Sequence, residues 1–345
     1  MIKNILQESF ILKERGFYKH AIESFYKALE FEPNSVELLY EIAECYLLMG
    51  DEEHSLNYIE LVLDKEPAHL LTLKLLRNIF INKKAWQEAV KTSYNIYSVS
   101  QDVKDLVEIF SLLNKLKNYA EVAAYEVDEN SEVEIIYQVA YAKFFNNELN
   151  AAQELVNKVL SKNPNSKKCK ILSSKILFKL GDIQGSADIL ENIEIDFTDA
   201  DLLNFYGIVE QYLGNYKKAL EYFKSAIKLE SRNDEYYYNC ASTYFKMNEI
   251  DIAKKFYNLA ISISPKNPNY HFALANLYYS QHNYKRAMEE LQYDFFEANL
   301  LKAIILFDTG YVALAKTEFL KLLEESPNDD IVLDYLRKTE DKLKI

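Results

Sequence analysis

The chain is short of the residues that punctuate a fold, with seven glycines and six prolines in 345 residues. That excludes a succession of β-hairpins and long loops, whose turns draw on both residue types. Three cysteines, Cys45, Cys169 and Cys240, stand far apart with no CxxC pair. Neither a disulfide framework nor a thiolate metal site is expected, and the three read as core thiols in a reducing, cytoplasmic compartment. The five histidines never form the i,i+4 pair of a zinc helix, and no GxGxxG, GxxxxGK[ST] or GxSxG run occurs. No cofactor, metal or catalytic residue is therefore expected, and the chain does not read as an enzyme. No apolar run approaches the roughly 20 residues that span a bilayer. The opening MIKNILQESFILKERG is charged throughout, unlike a secretion signal. Basic excess is missing too. A net charge of −13 opposes the neutralisation of phosphates on which nucleic-acid binding depends, so no nucleic-acid partner is expected.

What the chain has instead is a repeat. In Leu213–Glu230, LGNYKKALEYFKSAIKLE, a Gly-Asn-Tyr turn leads into a stretch with Ala219, Leu220, Phe223, Ala226 and Ile227 at helical spacing. Lysines and Glu221 take the other face. One hairpin cannot bury such a stripe, and the pattern recurs in ten repeats: 2–35, 36–69, 70–103, 104–132, 133–166, 167–199, 200–233, 234–267, 268–295 and 296–329. The turn holds Gly16, Gly50, Gly181, Gly214 and Gly310. Five residues later every repeat has Ala or Ser, including Ala123 and Ser186. Seven residues before the turn stand Ser9, Ala43, Ser111, Ala140, Ser174, Gly207, Ala241, Ala275 and Ala303, with Arg77 the exception. Pro33, Pro67, Pro164, Pro265 and Pro327 end repeats, where proline stops a helix. A period near 34 residues marks a helical-hairpin solenoid, so the whole of 1–345 is expected to be one continuous array.

Repeats 104–132 and 268–295 are short, which predicts second helices about one turn shorter than the rest. The four repeats from 133 to 267 read as regular. The closing segment 330–345 is predicted to be a capping helix that packs through Ile331, Leu333, Tyr335 and Leu336 and keeps Arg337, Lys338 and Lys344 in water.

These positions resemble the tetratricopeptide repeat family. Repeat 200–233 matches its pattern at Gly207, Gly214, Tyr216, Ala219, Phe223 and Ala226, with Ser231 in place of the terminal proline. The resemblance implies an all-α, right-handed superhelical solenoid of antiparallel hairpins. It also implies that repeat positions 2, 5, 9 and 12 of the first helices line a concave groove that binds an extended peptide or a helix of a protein partner. In the central repeats the candidate groove residues are Tyr137, Tyr141, Phe144, Lys168, Lys175, Asn204, Ile208, Gln211, Tyr238, Ser242, Phe272, Asn276 and Tyr279. Tyrosine and phenylalanine offer rigid contact area, and Asn can bond both groups of a peptide backbone. The family's clamp for a chaperone's C-terminal carboxylate is met by Lys74 and Asn78 but not by Ile109, Glu134 and Gln138. Recognition of such a tail is not expected. The alternative is a structural or regulatory subunit of a larger assembly, for example of a partner enzyme, working through convex or terminal surfaces.

Overall fold

The computed structural model describes residues 2–343, and among these every regular element is an α-helix. The chain separates into two compact units, Met1–Leu180 and Gly181–Ile345. The first contains α1 (Ile2–Glu14), α2 (Tyr18–Leu29), α3 (Val36–Leu48), α4 (Glu52–Lys65), α5 (Leu70–Asn82), α6 (Trp86–Ser100), α7 (Val103–Lys115), α8 (Tyr119–Ala123), α9 (Val133–Phe145), α10 (Leu149–Lys162) and α11 (Lys167–Lys179). The second contains α12 (Ile183–Glu191), α13 (Ala200–Tyr212), α14 (Tyr216–Leu229), α15 (Asp234–Lys246), α16 (Ile250–Ile263), α17 (Pro268–Ser280), α18 (Tyr284–Glu290), α19 (Phe296–Asp308), α20 (Val312–Glu325) and α21 (Asp330–Leu343). Within each unit a helix packs mainly on its neighbours in sequence, the pattern of a hairpin solenoid.

A left-handed residue stands at each odd-to-even junction from α1–α2 to α19–α20. Glycine serves at five of these: Gly16, Gly50, Gly181, Gly214 and Gly310, each with φ between +80° and +88°. Lys84, Lys117, Asn147, Asn248 and His282 take the same conformation at φ between +55° and +63°. Several helices open on a side-chain cap. Asp51 accepts from the His54 amide at 3.2 Å, and Asp199 accepts from Leu202 N–H at 2.9 Å. Small residues then let facing helices close. Ala21, Ala43, Ala140, Ala152, Ala219, Ala241, Ala275 and Ala303 are fully buried. At Gly207 the closeness is extreme: a Cβ there would lie 2.5 Å from Cε1 of the fully buried Phe223.

The structure corrects the sequence reading in four places. In the fourth repeat α7 begins at Val103 and the left-handed residue is Lys117, so the register lies one residue earlier than expected. Phe110 and Val122 therefore take the positions assigned to Ser111 and Ala123, and both are buried. The second helices α8 and α18 have five and seven residues against fourteen in α4, α10, α14, α16 and α20. They are about two turns short, not one. Helix α12 lies in a stretch read as regular, yet it has only nine residues. Asn192 ends it by donating to the Asp188 carbonyl at 2.8 Å, and a turn follows in which Thr198 N–H meets Asp196 Oδ1 at 2.9 Å. In the closing helix Val332, Leu336 and Thr339 form the buried stripe, while Ile331 is 53% exposed. Tyr335 packs on Phe319 at 5.2 Å as anticipated. Lys344 and Ile345 lie outside the described residues.

Arg77, the misfit at a small-residue position, finds a partner. Its Nη1 lies 3.5 Å from Oδ1 of Asp105, which is 5% exposed and also accepts from Ser100 Oγ at 2.7 Å. A large cation is tolerated there because the next first helix supplies a carboxylate.

Candidate functional site

In the N-terminal unit, α7 and α9 lie side by side because hairpin α7–α8 is followed directly by α9. Their facing residues Ser111, Asn114, Lys115, Tyr137, Gln138 and Tyr141 line an open cleft of about 230 Å³. Asn114 crosses from one helix to the other, donating from Nδ2 to Gln138 Oε1 at 2.9 Å and to the Gln138 carbonyl at 3.3 Å. The carbonyl can only accept, which fixes the amide's orientation. Asn114 Oδ1 is left buried without a partner. Gln138 in turn donates to Glu134 at 3.3 Å. Glu134 forms an ion pair with Lys168 of α11, whose ammonium also sits 4.4 Å above the Tyr137 ring. Burial pushes the Tyr137 and Tyr141 hydroxyls above the usual tyrosine range, so both remain neutral donors at physiological pH. Tyr141 joins an aromatic cluster: its ring is 4.8 Å from Phe145, which stacks on Tyr119 at 4.7 Å. Phe145 is 43% exposed, so the cluster reaches solvent.

The structure thus gathers Tyr137, Tyr141 and Lys168. Lys175 is half-buried on α11. Phe144 is 5% exposed and belongs to the core, capped by the Lys179 ammonium 4.4 Å from its ring. It cannot serve as a groove residue. Ser111, Asn114, Lys115 and Gln138 were missed. Those on α7 were missed because the candidates were drawn only from repeats beginning at residue 133 or later; counted from Val103, Ser111 and Asn114 fall on positions 9 and 12.

In the C-terminal unit the candidates lie on α13, α15 and α17. Asn204 and Gln211 do not offer free amides. Asn204 is 6% exposed, donates to Glu235 at 3.2 Å and accepts from Asn239 at 2.9 Å. Gln211 is 8% exposed, donates to Thr243 Oγ1 at 2.6 Å and accepts from Lys246 at 3.2 Å. Both are rungs of a polar ladder joining α13 to α15, and peptide capture by them would break those bonds. Ile208 is half-buried beside them. Tyr238 stacks on Tyr270 at 5.1 Å, and Ser242 is half-buried on α15. On α17, Phe272 meets Phe295 edge-on at 5.5 Å, and Asn276 donates to its own helix at the Phe272 carbonyl, 3.1 Å away. Tyr279 donates to Asp308 at 2.8 Å. Of the clamp pair, the Lys74 ammonium lies 3.9 Å from Asp105.

Among the described residues no His, Cys, Asp or Glu cluster could hold a metal, and no helix is long and apolar enough to cross a membrane. Stacked helix hairpins with small residues at their contacts and partly exposed side chains on their first helices define a class: helical-repeat proteins. Residues 212–271 match the family profile described as Tetratricopeptide repeat. TPR repeat-containing protein MJ1428 of Methanocaldococcus jannaschii is 22% identical over 244 residues, which is 70% of this chain and 35% of that protein. The chain spans about a third of that relative's length. The fold is similar to a chain in the crystal structure of the APC/C hetero-tetramer Cut9–Hcn1, with TM-score 0.58 and 12% identity over 98% of this chain and 76% of that one. These likenesses support tetratricopeptide repeats in this chain, with the profile match confined to residues 212–271.

Proposed function

We propose that this chain is a non-catalytic scaffold that holds an extended peptide segment of a protein partner against the first-helix faces of its repeats. The observation that carries the reading is the α7–α9 cleft. There two neutral tyrosine hydroxyls, an amide pair and a lysine surround a half-open aromatic floor, a mixture suited to a peptide's alternating polar and apolar groups. On the C-terminal unit the surviving candidates are Tyr238, Ser242, Phe272, Asn276 and Tyr279, with Ile208 beside them. The charge of −13 supports a protein partner over a nucleic acid, and three unpaired buried thiols support a reducing cytoplasmic setting.

Affinity capture from the native cell, read by mass spectrometry, tests this. Tyr137→Ala with Tyr141→Ala should weaken capture of the main partner by about 30-fold or more, the scale of losing two aromatic anchors. Tyr238→Ala with Asn276→Ala reports on the second face. Circular dichroism and melting should stay near wild type for both pairs. Undiminished capture by both would move the interaction to another surface. The fold's likeness to a chain crystallised within a hetero-tetramer favours that second reading, a structural or regulatory subunit binding through convex or terminal surfaces.

A further inference from the structure

The C-terminal unit contains a cavity that the peptide-binding reading does not use. Helix α12 stops after nine residues, and the chain continues through Ile193 and Ile195. These residues help to line a pocket of about 220 Å³. Leu190, Ile193, Ile195 and Val209 form apolar walls, and the rings of Tyr206 and Tyr222, 5.4 Å apart, form one side. For comparison, an apolar cavity of about 150 Å³ is enough to hold benzene.

The pocket's polar end is charged. Glu210 is 8% exposed, yet its carboxylate borders the cavity. It accepts from Asn215 Nδ2 at 2.8 Å and pairs with Lys218. Lys218 is itself half exposed, with 48% of its side chain open to solvent. Glu191 also lines the pocket and adds to the negative field at Lys218. Two carboxylates face one cation, so the site keeps a net negative charge beside two tyrosine faces. Carboxylates and aromatic faces both attract an ammonium group, and apolar walls attract its stem. A carboxylic acid would meet Glu191 and Glu210 and be repelled.

We propose that this pocket binds a small organic cation, an ammonium on an aromatic or branched aliphatic stem, and that Lys218 occupies the cation's place in the empty protein. The stem lies among Leu190, Ile193 and Val209, and the ammonium displaces Lys218 from Glu210. Lys218 swings into water, which its exposure allows. No bond is made or broken, so the site is a binding site only.

The probe is phenethylamine, titrated into the full-length protein by calorimetry, with phenethyl alcohol and phenylacetate as neutral and anionic counterparts. The expected order is amine over alcohol by about 10-fold or more, with no measurable binding of the acid. Lys218→Ala removes the competing cation and should tighten amine binding by about 10-fold. Glu210→Gln should abolish the preference for the amine over the alcohol. Ile193→Trp fills the pocket and should remove binding of both. Circular dichroism checks folding, and because Lys218 is half exposed its variant keeps the test usable if the Glu210 variant unfolds. Equal binding of amine and acid, unchanged affinity in Lys218→Ala, or no amine binding at millimolar concentration each overturns the proposal.

Discussion

At Gly207 the side chain is a single hydrogen because the face of Phe223 occupies the space beyond it. Substituting alanine gains up to about 1 kcal/mol of helix propensity but forces methyl and ring to separate, at about 1–3 kcal/mol. Gly207→Ala should therefore lower stability by about 1–2 kcal/mol in urea unfolding, and Phe223→Leu should recover part of the loss in the double variant. The small residue at this position was legible from sequence, since the repeat shows it again and again. Its neighbours Asn204 and Gln211 were misread. A helical position says which face a side chain occupies, but not whether the next helix brings a matching donor or acceptor. Here Asn239, Thr243 and Lys246 do so, and two apparent ligand contacts become structural bonds. Phe144 failed for a related reason: its position lies at the margin between groove and core, and the packing of α9 turned it inward.

Among the elements, the turns decide the register. Five of the ten junctions use a non-glycine residue in the left-handed region, where an L-residue costs about 1–2 kcal/mol. Asparagine tolerates that region better than lysine, so Lys84 and Lys117 carry the larger strain. Lys117→Gly should raise stability by roughly 0.5 kcal/mol, the strain relieved less the added freedom of glycine in the unfolded chain. The shift in melting temperature checks it. The same residue explains why the fourth repeat was set one place late: with no glycine to fix the turn, Ser111 and Ala123 gave a plausible alignment in the wrong register. The early end of α12 was equally hidden. The stretch Ile183–Asp199 has nearly the usual length and loses its helix to side-chain bonds at Asn192 and Thr198, local competition that periodicity does not report.

For the molecule as a whole, the three thiols act as built-in reporters. Cys45 and Cys169 are buried in the N-terminal unit and Cys240 in the C-terminal one. Burial pushes the thiol of Cys45 up to about 11 and that of Cys240 up to about 12, and raises Cys169 as well. Little thiolate is present at pH 8, so labelling by a disulfide-exchange reagent should be at least about 100-fold slower than for free cysteine and should proceed through opening. In Gly207→Ala the label should enter Cys240 faster while the rate at Cys45 stays near wild type, because disturbances in a repeat array fade within a few neighbours. Mass spectrometry of labelled peptides gives both rates from one sample.

The left-handed turns have a mechanical consequence as well. Within each unit they join antiparallel helices, and a helix binds mainly the next in line. A pull on the chain ends therefore loads one hairpin at a time, as in opening a zip. Each release of a regular repeat of about 34 residues would pay out roughly 115 Å of extended chain. A partner bound across several first helices would bridge those steps and stiffen the array, so that occupancy could be felt as resistance to extension far from the contact itself.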